Sequence, residues 1–344
     1  MSGPLQSLIE AGSKIWVDSI DPELVQENFA KGATGATSNP IIVSNLIGTG
    51  RFDKEIKELK NKGHSSHDIA WLMTDRFVTQ AEKVFEPIFQ DTKKNNGYVS
   101  FELDPLLEDA KEGPEHKTRV NKYIELAKKW QQGHPNRLIK VPATPAGIDA
   151  LEEMVSAGVN VNVTLIFSSE QYRNARTAVL AGAKKRETLN DFKSVYSIFV
   201  SRLDVYASQH APSLTAAQQG QVGILNAKRV WQENQEFWKN EKTPLDQEMI
   251  FASTGTKNPE DPAWKYVAAF AGSDIETNPP ATNKAVEASG VIFSRQIDEM
   301  PSDEDTKAID ANIDWKKLEE TLMSEGLAKF ADPQKRLIAL IEEL

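Results

Sequence analysis

Along the chain, short apolar runs that read as strands alternate with longer segments whose apolar residues recur at helical spacing. The first run is Lys14-Ile-Trp-Val-Asp18. A helix then opens at Asp21-Pro22-Glu23, where an aspartate cap precedes proline at the first helical position. Ala33–Thr37 reads as the second strand and leads into Ser38-Asn39-Pro40. Helical patterns span roughly Ser44–Lys62 and Ser66–Phe89. Strand runs recur at Tyr98–Glu102, Arg137–Val141, Val159–Leu165, Ser194–Val200, Glu248–Ser253 and, more weakly, Asp274–Thr277. Between them the spacing predicts helices within Pro114–Gln132, from about Pro145 to Ala157, from Ser169 to Gly182 and through Arg202–Lys239. Helical patterns continue to the C-terminus and end in Pro333–Leu344.

Eight strands separated by helices imply parallel pairing, because each return to the sheet needs a crossover. This is the α/β order of a closed (β/α)8 TIM barrel with additional helices. An open doubly wound sheet is the alternative, but its phosphate-binding fingerprints are missing. Gly48-Thr-Gly50 lacks a third glycine and a preceding strand, and no Walker lysine loop is present. No linker-like composition divides the chain, so residues 1–344 are expected to form one barrel domain with a helical extension from about 295.

Strand parity adds a second signal. In Val159–Leu165 the residues Val159, Val161, Val163 and Leu165 fall on one face, with Asn160, Asn162 and Thr164 on the other. A parallel strand covered on both sides should be apolar throughout, so the polar face must line something other than a plain core. The same oddity recurs near other strand ends, at Asp18, Thr37 with Asn39, Glu102 with Ser100, Lys140 and Ser197. In a barrel, inward residues at the C-terminal strand ends build the active site. Taken singly, Asp18 or Glu102 reads as a turn former, Asn39 before Pro40 as turn chemistry, and Ser197 as barrel filler. Lys140 is different. Lys265 and Lys329 sit in helical patterns from which an ammonium reaches water, whereas a lysine in a central strand has only the barrel mouth as an exit.

Composition narrows the chemistry. The 344 residues contain no cysteine, which excludes thiol nucleophiles, disulfides, iron–sulfur clusters and cysteine-based zinc sites. With 40 Lys plus Arg against 50 Asp plus Glu, the net charge of −10 argues against nucleic acid or an anionic membrane as partner. Any anionic ligand must be held by a few local cations. The N-terminus shows no secretory pattern and no apolar run approaches the roughly 20 residues that span a bilayer, so a cytoplasmic protein is expected. His64-x-x-His67 opens a helix and reads as solvent-facing, Trp231, Phe237 and Trp238 as packing residues, and Lys184-Lys-Arg186 as a helix C-terminus.

A lysine at a barrel mouth beside carboxylates suggests Schiff-base chemistry on a carbonyl substrate. Its free pKa is about 10.4, and burial favours the neutral amine that attacks. The iminium then serves as an electron sink for carbon–carbon cleavage, and two carboxylates with different surroundings suit the two proton-transfer tasks.

Five ordered segments carry a family resemblance. Gly35-Ala-Thr-Ser-Asn-Pro-Ile-Ile42 resembles the first signature of transaldolases, and Arg137-Leu-Ile-Lys-Val-Pro-Ala-Thr144 with Gly147-Ile148 resembles the segment around their Schiff-base lysine. Asn160-Val-Asn-Val-Thr-Leu-Ile-Phe167, Ser197-Ile-Phe-Val-Ser-Arg202 and Ala252-Ser-Thr-Gly-Thr-Lys-Asn-Pro259 continue the similarity, the last being characteristic of one subgroup. The resemblance implies transfer of a dihydroxyacetone unit from sedoheptulose 7-phosphate or fructose 6-phosphate to glyceraldehyde 3-phosphate or erythrose 4-phosphate. It implies no metal and no organic cofactor, with sugar phosphates as the partners of a monomer or homodimer. Lys140 is matched to the nucleophile, Asp18 to the acid/base of the aldol step, and Glu102 with Thr164 to the pair that positions a catalytic water. Asn39, Asn162 and Ser197 are matched to contacts with the dihydroxyacetone hydroxyls and Arg202 to a phosphate ligand. Lys257 stands where many relatives carry Arg, and lysine supplies charge without the bidentate fork. Phe199 stands where related fructose 6-phosphate aldolases tend to carry Tyr, which favours transfer over release of free dihydroxyacetone. Such an aldolase, and a non-catalytic sugar-phosphate-binding barrel, are the alternative readings.

Overall fold

The computed structural model describes residues 3–344. Helix α1 (Pro4–Glu10) precedes a regular alternation that begins with β1 (Lys14–Val17), α2 (Pro22–Ala30) and β2 (Gly35–Ala36). Three helices follow, α3 (Pro40–Ile47), α4 (Asp53–Asn61) and α5 (Ser66–Asp91), before β3 (Val99–Glu102). A 3-10 turn at Pro105–Glu108 leads to α6 (His116–Gln131), β4 (Arg137–Pro142), α7 (Pro145–Ser156), β5 (Val161–Ile166), α8 (Ser169–Ala183) and β6 (Ser194–Phe199). Then come α9 (Ser201–His210), α10 (Ala216–Gln219), α11 (Val222–Glu241), β7 (Glu248–Ala252), α12 (Lys265–Ala269) and β8 (Ile275–Asn278). The chain ends with α13 (Pro280–Ala288), α14 (Asp303–Asn312) and the 29-residue α15 (Trp315–Glu343).

The eight strands pair in parallel, in sequence order, and β8 closes on β1. The expected (β/α)8 barrel with additional helices is therefore the observed fold. Strand parity sorts the core into two shells. Val17, Val99, Ile139, Val161, Val163, Ile198 and Phe251 face outward and pack with the helices. Trp16, Leu138, Val195, Ile250 and Ile275 face inward and fill the barrel. Trp16 dictates its neighbour on β2: a Cβ on Gly35 would lie 2.4 Å from the Trp16 ring, so only glycine fits there. Helix starts follow their caps, with Asp21, Ser65, Thr144 and Ser168 each accepting a backbone N–H of the first turn.

Three local readings are corrected. The single helix at Ser44–Lys62 is two, because Gly48-Thr-Gly50 ends α3 and Gly50 takes φ 75°, a backbone region that breaks a helix. Pro333 does not begin the last helix but lies inside α15. Leu165 does not share the outward face of β5. The register shifts between Val163 and Ile166, and Leu165 adopts φ 57°, so its side chain joins the inward cluster while Ile166 takes the outward place.

Candidate active site

Register alone lines up the centre of the mouth. On adjacent strands Glu102 is the partner of Lys140, and Lys140 is the partner of Asn162. Lys140 Nζ donates to Glu102 Oε2 at 3.0 Å and to the Ser38 carbonyl at 3.1 Å. Both side chains are nearly enclosed, Lys140 at 5% and Glu102 at 6% exposure. Burial pushes the Glu102 carboxyl up; Lys140 opposes that rise, Asp18 adds to it, and Arg202 opposes it weakly.

Asp18 follows β1 directly, and its backbone N–H is held by the Asn278 carbonyl at 3.0 Å. Thr37 Oγ1 donates to Asp18 Oδ1 at 2.8 Å and lies 2.8 Å from Thr277 Oγ1. Burial raises the Asp18 carboxyl, with the Lys140 charge and then the Thr37 hydrogen bond pulling it down. Two carboxyl groups raised by burial thus lie within the field of one ammonium. Each can carry a proton closer to neutrality than a solvated carboxylate can, which is the property acid/base work requires.

The polar face of β5 continues the row. Asn162 Nδ2 donates to Ser100 Oγ at 2.9 Å, and Ser197 Oγ donates to Asn162 Oδ1 at 2.7 Å. Thr164 Oγ1 is buried without a hydrogen-bond partner, as is Arg202 Nη1. Unpaired polar atoms enclosed in a mouth are costly unless a ligand completes them. Arg202 stands in the first turn of α9 with its guanidinium 4.9 Å from the Phe199 ring centre, and Phe199 packs edge-on against Phe167 at 5.5 Å. Burial lowers the Arg202 pKa, while Glu325 and Glu102 support its charge.

The remaining two residues sit differently. Asn39 is half-buried beside Ser38, and its Oδ1 accepts the Ile42 N–H at 3.0 Å as the cap of α3. The turn-chemistry reading of Asn39 is thus realised, and the cap fixes how the amide is presented. Lys257 is exposed on the loop after β7, close enough to Arg202 and Lys329 that their charges, after burial, lower its pKa. It belongs to the outer rim, not to the enclosed row. Of the features read as bland, His64 and His67 are exposed, with His67 Nε2 3.4 Å from Asp104, and Trp231 and Trp238 are buried. Among the described residues no cluster of His, Asp and Glu is arranged to hold a metal ion, and no helix is long and apolar enough to cross a membrane.

Sequence reasoning missed part of the mouth. The Ser38 carbonyl and Thr277 carry no residue-type signal, although Thr277 shares the inward parity of Ile275. The roof was also missed. Helix α15 crosses the mouth, and the Phe330 ring centre lies 5.6 Å from Lys140 Nζ.

Residues 15–341 match the family described as transaldolase/fructose-6-phosphate aldolase. The chain is 31% identical to the transaldolase of Thermobifida fusca, over 98% of its own length and 97% of that protein's. It is 30% identical to transaldolase 2 of Streptomyces coelicolor, covering 99% and 97% of the two chains. Against the transaldolase of Trichodesmium erythraeum it is again 30% identical, over 96% and 95%.

Proposed function

The chain belongs to the transaldolase/fructose-6-phosphate aldolase family and is a transaldolase; from that premise we propose that it moves a dihydroxyacetone unit through a Schiff base on Lys140. Donors are sedoheptulose 7-phosphate or fructose 6-phosphate, and acceptors are glyceraldehyde 3-phosphate or erythrose 4-phosphate. The observation that carries the reading is the enclosed Lys140 Nζ, held between Glu102 Oε2 and the Ser38 carbonyl.

In this mechanism Glu102 takes the proton that Lys140 must lose before its nitrogen attacks the ketose carbonyl. Glu102 and Thr164 then hold the water formed as the carbinolamine collapses to the iminium. Thr164 Oγ1 has its hydrogen-bonding capacity free for this task. Asp18 removes the proton from the hydroxyl of the departing fragment. The carbon–carbon bond breaks, its electron pair passes into the iminium, and an aldose phosphate leaves. The enamine then attacks the acceptor aldehyde, and the steps run in reverse. Asn39, Asn162 and Ser197 hold the dihydroxyacetone hydroxyls; Arg202, and more loosely Lys257, hold the phosphate. Phe199 offers no phenolic proton or water ligand beside the intermediate, which favours transfer over release of dihydroxyacetone. We read residues 1–344 as one barrel domain in the cytoplasm, acting as a monomer or homodimer.

Borohydride reduction in the presence of fructose 6-phosphate, followed by mass mapping, tests the proposal. The expected product is a dihydroxyacetone adduct on Lys140. No adduct anywhere in folded protein would reject Schiff-base catalysis.

A further inference from the structure

Arg202 can hold a phosphate only if the turn that carries it stays still. The guanidinium stacks on Phe199, but its Nη1 has no partner in the protein, so no hydrogen bond steers that nitrogen. Its place is set by the backbone of α9, which opens at Val200 without a side-chain cap. On the barrel side, the Val200 N–H donates to the Ala252 carbonyl at 3.0 Å and the Ser201 N–H to the Ser253 carbonyl at 3.2 Å. On the other side the turn is tied by Asp204. Two positions apart on a helix, Arg202 and Asp204 project about 200° apart, one into the mouth and the other away from it.

Asp204 is 8% exposed and gathers donors from two other helices. Its Oδ1 accepts the Gly223 N–H at 2.7 Å, in the first turn of α11. Its Oδ2 accepts the Tyr266 hydroxyl at 2.7 Å, from α12, and lies 3.4 Å from Lys265 Nζ. Lys265 also binds Asp261 Oδ2 at 2.9 Å, in the loop that carries Lys257. Burial pushes the Asp204 carboxyl up to about 6, against the pull of the Gly223 N–H and the Lys265 charge, so at neutral pH it is mainly a carboxylate that can only accept. The joint with α11 is tight. A Cβ at Gly223 would lie 2.4 Å from the Val200 carbonyl oxygen and 3.1 Å from Asp204 Oδ1, so α11 rests directly on the start of α9. Beside the joint lies a cavity of about 620 Å³, lined among others by Asp204, Ser208, Gln219, Lys257, Asp261 and Lys265. On this side of α9 the Asp204 bonds stand where packing would otherwise hold the helix.

We propose that Asp204 is a positioning residue for phosphate recognition: it locks the first turn of α9 against α11 and α12 and so holds Arg202 where a sugar phosphate meets it. The inference rests on the reading of Arg202 as a phosphate ligand. Asp204 touches no reacting atom. Its effect belongs to the preference for a phosphorylated over an unphosphorylated substrate, and not to the chemistry at Lys140. A general loosening of the barrel would lower both alike.

The test uses the full chain with saturating sedoheptulose 7-phosphate as donor and reads the erythrose 4-phosphate released as acceptor is added. Glyceraldehyde 3-phosphate and glyceraldehyde are compared as acceptors, and the ratio of their kcat/KM values is the phosphate preference; in a ping-pong reaction it reports the second half alone. Asp204→Ala is expected to lower that preference by about three- to tenfold, with kcat/KM for glyceraldehyde within about twofold of normal. Tyr266→Phe removes one donor and should lower the preference by about two- to threefold; it carries the test if Asp204→Ala does not fold. In an Arg202→Ala background, Asp204→Ala should change the preference by less than about twofold, because no guanidinium is left to place. An unchanged preference in the folded variant, an equal loss with both acceptors, or a full effect persisting in the Arg202→Ala background overturns the proposal. Arg202→Ala by itself separates the two ideas. If it loses the phosphate preference while Asp204→Ala keeps it, the clamp alone is sunk; if it keeps the preference, the reading of Arg202 falls first.

Discussion

The barrel contains two enclosed lysine–carboxylate pairs, one at each end. At the mouth, Lys140 donates to Glu102; at the floor, Lys193, just before β6, donates to Glu248 at the start of β7 at 2.5 Å. Lys193 is the more buried of the two at 1% exposure, and burial lowers its pKa. The difference lies in what each end leaves unpaired. At the floor, Glu248 engages both oxygens, since Lys14 binds Oε1 at 2.6 Å, and Lys193 also reaches Asn95 Oδ1 at 3.4 Å. At the mouth, Thr164 Oγ1 and Arg202 Nη1 have no partner, and both carboxyls answer to one ammonium. Burial of a lysine therefore does not mark a catalytic group. In the reading proposed above, such a pair is a structural plug where its ammonium and both carboxylate oxygens are engaged, and a reactive centre where hydrogen-bonding capacity remains beside it.

The sharpest way to break this comparison is to remove the two lysines in turn. Lys140→Met should lower kcat by on the order of 10^4-fold or more, as loss of a covalent nucleophile does, and by breaking the buried pair with Glu102 it should also destabilise by about 3 kcal/mol. Lys193→Met should carry the second effect without the first. It should destabilise by about 3 kcal/mol, near the low end for a broken buried pair because Lys14 still balances Glu248, and leave kcat near normal below the melting transition. Steady-state assays and thermal melts on both variants check this. A folded Lys193→Met enzyme with collapsed kcat would show that the floor takes part in the reaction.

The same pair of lysines shows how far the sequence could be read. The polar face of β5 and the polar strand ends predicted an enclosed row around Lys140, and strand register then put Glu102, Lys140 and Asn162 side by side. The argument from burial, however, would have selected Lys193 equally well had its strand position been seen, because it opens the run Lys193-Ser-Val-Tyr-Ser197. What separates them is hydrogen-bond partnership, which no local pattern reports. Leu165 was misplaced for a related reason. Period-two alternation holds only while the register holds, and a bulge moves one residue across the sheet. Phe330 was beyond reach, since an apolar residue at helical spacing looks the same whether its helix covers a core or an active site.

A third enclosed group tests whether unpaired capacity alone implies function. Glu276 on β8 is fully buried; Ser13 Oγ donates to its Oε1 at 2.8 Å, while Oε2 has no partner. Burial pushes its carboxyl up to about 8, against the Ser13 hydrogen bond. It has no lysine beside it and faces away from the mouth, so it is expected to bear on stability and not on turnover. The native state holds this proton more tightly than the unfolded chain does, so the contribution is full below the ordinary carboxyl pKa and is lost as pH rises through about 8. Between pH 5 and 8.5 the loss amounts to on the order of 4 kcal/mol. Asp18 and Glu102 are raised as well and act with the same sign. In Glu276→Gln the fall of melting temperature across that range should shrink without vanishing, with kcat unaltered. An unchanged slope would mean that the carboxyl is not held neutral; a loss of kcat would bring β8 into the reaction.

The smallest effects belong to the two cations of the mouth, which repeat the contrast between enclosed and open within a single site. Arg202 is recessed, stacked on Phe199, and has an unpaired Nη1, so its fork should be specific. Arg202→Lys keeps the charge but loses that geometry, and KM for fructose 6-phosphate should rise by about tenfold. Lys257 is exposed, and its field is shared with Lys329, so a phosphate that loses it still meets positive charge. Lys257→Met should raise KM by only about two- to threefold, the range of an exposed ion pair. Because the Debye length is about 3 Å at 1 M salt, that deficit should fade as ionic strength rises, while the Arg202→Lys deficit persists. KM measured at low and high salt for both variants decides the point. A salt-resistant deficit above tenfold in Lys257→Met would place this lysine with the enclosed row after all.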